Sequence, residues 1–110
     1  MQHPSFYKVT WGQVEEAADY IATMYRGQIT SVYGEPRGGL TLAVMISHKL
    51  RIPLVSAFAG EECLWVDDII DSGQTWLKAQ QRGFKQGAAI CRRTGINNTA
   101  LFETDAWVVF

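Results

Sequence analysis

Cysteine, histidine and proline are scarce in this chain of 110 residues, at two, two and three residues. Cys63 and Cys91 stand alone, with no Cys-x-x-Cys or Cys/His spacing. That argues against a disulfide framework or a zinc site and reads as two buried strand thiols of a reduced, cytosolic protein. His3 and His48 have no partner at useful spacing and read as structural. No apolar run is longer than Leu42 to Ile46, far short of the roughly 20 residues that cross a bilayer. Met1-Gln2-His3-Pro4 lacks the basic flank and apolar core of a signal peptide. A basic excess is missing as well. Ten Lys and Arg stand against eleven Asp and Glu, for a net charge of −1, unlike an electrostatic nucleic-acid binder. There is no internal repeat, low-complexity tract or linker.

What is present is a compact apolar inventory. The chain is 47% hydrophobic and 19% charged, and it includes four Trp, four Tyr and five Phe, enough for one domain over 1–110. Thr10 with Gln13 forms a capping box, and Val14, Ala17, Ala18, Ile21, Met24 and Tyr25 follow at helical spacing until Gly27. Ile29 to Tyr33 reads as a strand. Leu40 to Leu50 reads as a helix with two apolar stripes; Leu42, Met45 and Ile46 form the surplus one, which needs a second partner. Pro53 to Phe58 and Cys63 to Val66 read as strands, the latter covered on both faces. A helix is expected from about Thr75 to Gln86, ended by Gly87, then strands over Ala88 to Arg92 and Ala106 to Phe110. Strands alternating with helices predict an α/β fold, a single-domain parallel sheet flanked by helices.

Two loops carry chemistry. In Val66-Asp67-Asp68-Ile69-Ile70-Asp71-Ser72-Gly73-Gln74-Thr75, three carboxylates crowd into a short stretch after a buried strand. Such a cluster repels itself unless a cation or hydroxyl donors offset it, and magnesium fits that role. Ser72 to Thr75 then form a small-residue turn into a helix, where backbone N–H groups can cradle a phosphate. Acids beside a phosphate nest describe a site for a ribose 5-phosphate. The bland alternative has Asp67 and Asp68 capping a strand and Asp71 capping a helix, which suits one Asp better than three. The Asp-Asp-x-x-Asp element of prenyl-diphosphate enzymes also matches literally, but it belongs on long helices of all-α proteins. The second loop, Gly34-Glu35-Pro36-Arg37-Gly38-Gly39-Leu40, lets backbone approach an anion that Arg37 can grip, though such a segment also serves as an ordinary turn. No P-loop and no Gly-x-Gly-x-x-Gly is present.

Together the two loops resemble those of the type I phosphoribosyltransferases: Asp67 to Thr75 match that family's phosphoribosyl pyrophosphate signature, and Gly34 to Gly39 its pyrophosphate loop. Tyr7-Lys8-Val9-Thr10-Trp11 and Asp105-Ala106-Trp107-Val108 look most like the bacterial xanthine-guanine branch. The resemblance implies that Asp67 and Asp68 bind the ribose hydroxyls and, through Mg2+, the diphosphate. It makes Asp71 the candidate catalytic base and gives the 5-phosphate to Ser72, Gly73, Gln74 and Thr75. Arg37, Gly38 and Gly39 meet the pyrophosphate, Arg93 falls near the purine 6-oxo group, Trp107 stacks on the base, and the Val108 backbone reads its edge. Arg93 as a solvated strand-end residue and Trp107 as core are the plain alternatives.

The chain also departs from the family. The long flexible lid between the second and third strands is reduced to about Phe58 to Glu62, and relatives continue past Phe110 into the base pocket. The resemblance therefore implies a transferase moving ribose 5-phosphate from phosphoribosyl pyrophosphate to a purine-type base, a 6-oxopurine preferred, with weak turnover. A non-catalytic module that binds nucleotide or phosphoribosyl pyrophosphate is the alternative. A homodimer through Leu40 to Leu50 or its immediate neighbours is expected of so small a domain, with no nucleic-acid or membrane partner.

Overall fold

The structure is a computed structural model that describes residues 6–110; Met1 to Pro4, including His3, lie outside the described residues. Its elements in chain order are β1 (Phe6–Lys8), α1 (Trp11–Tyr25), β2 (Ser31–Gly34), α2 (Leu40–Leu50), β3 (Leu54–Val55), β4 (Cys63–Ile70), α3 (Gln74–Gln81), β5 (Gln86–Arg92), β6 (Thr99–Glu103) and β7 (Trp107–Val109). Five strands form one all-parallel sheet in the order β3-β2-β4-β5-β6. β1 and β7 form a separate parallel ribbon, with Phe6 opposite Trp107 and Tyr7 opposite Val108. The expected parallel α/β architecture is the one observed.

α1 and α2 cover one face of the sheet. Ala17, Ala18 and Ile21 of α1 and Leu42, Ala43 and Ile46 of α2 pack on Val32, Leu64, Val66, Ala88 and Ile90. α3 and the turn after it cover the other face, where Tyr33, Trp65, Ala79, Phe84 and Ala89 cluster. Trp65 and Trp76 meet there with ring centroids 5.3 Å apart. The α1 capping box is present: Gln13 N donates to Thr10 Oγ1 at 3.1 Å, and Thr10 N donates to Gln13 Oε1 at 3.0 Å. Cys63 and Cys91 are buried and unbridged, and burial pushes the Cys91 thiol up to about 12.

Five expectations need correction. The acidic segment is not a loop after the strand: β4 runs through Asp67, Asp68 and Ile69 to Ile70, because β5 continues the ladder past Asp67↔Ala89 to Ile70↔Arg92. α3 stops at Gln81, not Gln86. Gly83 takes φ +113° and sends the chain back to bury Phe84, while Gly87 is a strand residue whose missing side chain makes room for Trp76. β3 is only Leu54–Val55 instead of reaching Phe58. β1 and β6 were not anticipated, since three residues with only the middle one half-buried and a short Thr-Ala-Leu-Phe-Glu run have little periodicity. Finally, Leu42 and Ile46 are core residues, not a surplus stripe. The apolar side chains that α2 leaves exposed are Leu40 and Val44.

Candidate functional site

The carboxyl ends of β2 and β4 lie side by side, and both chemistry-bearing segments emerge there. Glu35 N donates to Val66 O at 2.8 Å, Gly39 N to Glu35 O at 2.8 Å, and Ala43 N to Gly39 O at 3.0 Å. This folds residues 35–39 into a tight turn, with a cis Pro36–Arg37 peptide, that feeds directly into α2. The turn lies against the acids. A Cβ on Gly38 would collide with the Asp68 carboxylate, and one on Gly39 would collide with Val66 O beside the Asp67 Cα. These glycines are needed for close approach, since no larger residue leaves the two segments in contact.

The two adjacent aspartates serve opposite faces. On β4, Trp65 packs under α3, while Leu64 and Val66 pack under α1 and α2. The pleat continues that alternation into the acids. Asp68 borders a hollow of about 410 Å³ with Arg37, Gly38, Thr41, Leu42, Thr10 and Trp11. Asp67 joins Trp65, Trp76, Asp71, Ser72, Gly73 and Thr75 around a second hollow of about 200 Å³, which Asp68 also borders. The two hollows meet at Asp68. Asp68 N donates to Asp67 Oδ1 and Ile69 N to Asp68 Oδ1, each at 2.8 Å. Burial pushes the Asp67 carboxyl up to about 8, and the nearby Asp68 and Glu35 carboxylates push it the same way.

Beyond Ile70, Gly73 takes φ +86° and opens α3. Ser72 Oγ accepts from Gln74 N at 3.3 Å, and Leu77 N donates to Gly73 O at 2.9 Å. The first N–H groups of a helix have no intrahelical acceptor, so Gly73, Gln74 and Thr75 sit where an anion is favoured. Asp71, with its side chain 66% exposed, is paired through Oδ1 to Arg93 Nε at 2.7 Å. Arg93 Nη1 donates to the carbonyls of Thr104, at 3.1 Å, and Ala106. Arg93 thus ties the acidic turn to the segment before β7 through its Nε and Nη1 donors. Trp107 is 64% exposed on β7, and neither it nor Val108 borders either hollow.

One constellation was not legible in the sequence. Arg82, the residue that ends α3, reaches back to Tyr33 and Glu35 at the end of β2. No local pattern links positions so far apart. Among the described residues no three His, Cys, Asp or Glu side chains group as a metal cage, and no helix is long and apolar enough to cross a membrane.

No protein-family model and no curated protein sequence matches the chain. Solved structures do. A purine phosphoribosyltransferase from Pyrococcus horikoshii Ot3 superposes with a TM-score of 0.84 at 24% identity, over 96% of this chain and 92% of that one. The Helicobacter pylori xanthine-guanine-hypoxanthine phosphoribosyltransferase gives 0.74 at 18% identity, over 98% and 92%. The Trypanosoma brucei adenine phosphoribosyltransferase, in complex with AMP, pyrophosphate and ribose-5-phosphate, gives 0.64 at 17% identity, over 82% and 64%. The chain has the fold of these type I phosphoribosyltransferases.

Proposed function

We propose that this protein is a phosphoribosyltransferase that moves ribose 5-phosphate from phosphoribosyl pyrophosphate to a purine-type base, with a 6-oxopurine as the preferred acceptor. One observation carries the reading: the turn at Arg37–Gly39, the paired acids on β4 and the turn into α3 adjoin at the carboxyl end of the sheet, around two hollows that share Asp68. A ligand with a diphosphate at one end, a diol in the middle and a phosphate at the other would meet each element with suitable chemistry. Arg37 and the glycine backbone face the diphosphate, Asp67 and Asp68 accept from the ribose hydroxyls, and Ser72 to Thr75 surround the 5-phosphate.

The donor set also fits magnesium. Asp67 and Asp68 offer hard carboxylate oxygens, and burial beside like charges leaves Asp67 short of a compensating cation. An ion completing its shell with water and phosphate oxygens needs no protein cage. When bound, it offsets diphosphate charge. The protein's own residues do the rest: they hold the sugar, keep the diphosphate oriented as the C1–O bond breaks, and place Asp71 where a proton leaves the base as the C1–N bond forms. Arg93 orients Asp71, and the exposed face of Trp107 is the stacking surface for the base. The likeness to the xanthine-guanine branch, a cytoplasmic location and a homodimer belong to this same reading.

Incubation with magnesium, phosphoribosyl pyrophosphate and a panel of bases tests it. Slow formation of a 6-oxopurine nucleotide is expected, abolished by Asp71→Ala. Trp107→Ala should chiefly raise the KM for the base, because stacking acts in ground and transition states alike. The short β3–β4 connection, residues 56–62, favours a second reading, a binding module without turnover. It prevails if nucleotide binds but no base gives product.

A further inference from the structure

Glu35 is an awkward residue for a turn that receives a diphosphate. It sits two positions before Arg37, its side chain is only 18% exposed, and its charge reaches Asp67. Unscreened, it adds negative potential where an anion must arrive. The fold answers this from outside the site. Arg82 Nη2 donates to Glu35 Oε1 and Arg82 Nη1 to the Tyr33 hydroxyl, each at 3.3 Å, and that hydroxyl donates to Glu35 Oε2 at 3.0 Å. Both carboxylate oxygens are therefore engaged. The guanidinium lies 5.4 Å from the Tyr33 ring centroid and 5.5 Å from that of Phe84, close enough for cation–π attraction to fix its place.

We infer that Arg82 is a positioning residue for diphosphate recognition: by neutralising and anchoring Glu35, it allows the 35–39 turn to accept an anion that Arg82 itself does not touch. This rests on the phosphoribosyl pyrophosphate reading above. Loss of Arg82 would leave the Glu35 charge uncompensated at the start of the turn that carries Arg37, and loss of both charges together would relieve it. A residue that only braced α3 would show no such rescue.

Calorimetry with magnesium and inorganic pyrophosphate, and separately with ribose 5-phosphate, tests the inference on the full chain. Arg82→Met should weaken pyrophosphate binding roughly tenfold, the scale of one uncompensated charge acting through space near the protein surface, and leave ribose 5-phosphate within twofold. Arg82→Met combined with Glu35→Gln should recover most of the loss, and Arg82→Lys should lie close to the parent. Glu35→Gln alone should bind pyrophosphate at least as tightly as the parent, which keeps the test open even if Arg82→Met folds poorly. Unchanged pyrophosphate affinity in Arg82→Met, no recovery in the double variant, or weaker binding by Glu35→Gln would each overturn the inference. A parent that binds ribose 5-phosphate but not pyrophosphate overturns it and spares the ribose phosphate site. A parent that binds neither removes both.

Discussion

Asp67 and Asp68 are neighbours in the chain, yet Asp68 borders both hollows and Asp67 only the smaller one. Asp67 has the less comfortable place, beside Trp65 and Trp76 with a second carboxylate next to it. Its pKa of about 8, against 3.8 in the ordinary case, means that the folded chain keeps a proton the unfolded chain gives up. A raised pKa favours the fold fully below pH 4, and that support is lost as pH rises through 8. Urea unfolding should therefore show stability falling between pH 5 and pH 8.5, by on the order of 2–4 kcal/mol once solvent screening is allowed for. Asp67→Asn should flatten the profile and exceed the parent's stability at pH 8.5. Magnesium with ribose 5-phosphate should restore part of the parent's loss. A parent profile that rises toward pH 8.5 would contradict this environment for Asp67.

At the scale of elements, the glycines decide what the sequence discloses. Adjacent glycines at 38 and 39 were readable as a place of close backbone approach, and each lies too near the β4 acids to carry a Cβ. Gly87 was misread as a helix stop. Its actual reason is tertiary: a Cβ there would stand 2.6 Å from the Trp76 ring, across the gap between β5 and α3. Gly87→Val should push α3 off the sheet and lower stability by about 1–3 kcal/mol, the usual penalty of overpacking. Weaker ribose 5-phosphate binding should accompany it, since α3 and the 72–75 turn move together. Thermal unfolding and calorimetry on the same variant would show whether the two losses go together. The extent of β4 was hidden for a related reason. Two aspartates look like a strand's end, and only pairing with β5 carries the ladder on to Ile70↔Arg92. β6 and the Arg82–Glu35 pair were invisible because long-range contacts, not local pattern, create them.

For the whole molecule, the layering was legible early: apolar positions at helical spacing in α1 and the continuous apolar start of β4 demand a sheet covered on both faces. What covers α2 from outside is another matter. Its inner face, Leu42, Ala43 and Ile46, is used up by the core, yet Leu40 and Val44, one turn apart on the same side, are 42% and 40% exposed. Leu40 directly follows the Arg37–Gly39 turn, so anything resting on this face also steadies that turn. A second copy of the chain would do so, and a domain of this size gains from burying further apolar surface. Sedimentation at micromolar concentration should therefore show a dimer, and Val44→Glu should shift it to a monomer by placing a charge in an apolar contact. The monomeric variant should keep its fold, because Val44 contributes nothing to the buried core, but it should bind pyrophosphate more weakly than the parent. A parent already monomeric, or a Val44→Glu variant with unchanged mass, would show that α2 faces water in solution and that the turn holds its shape unaided.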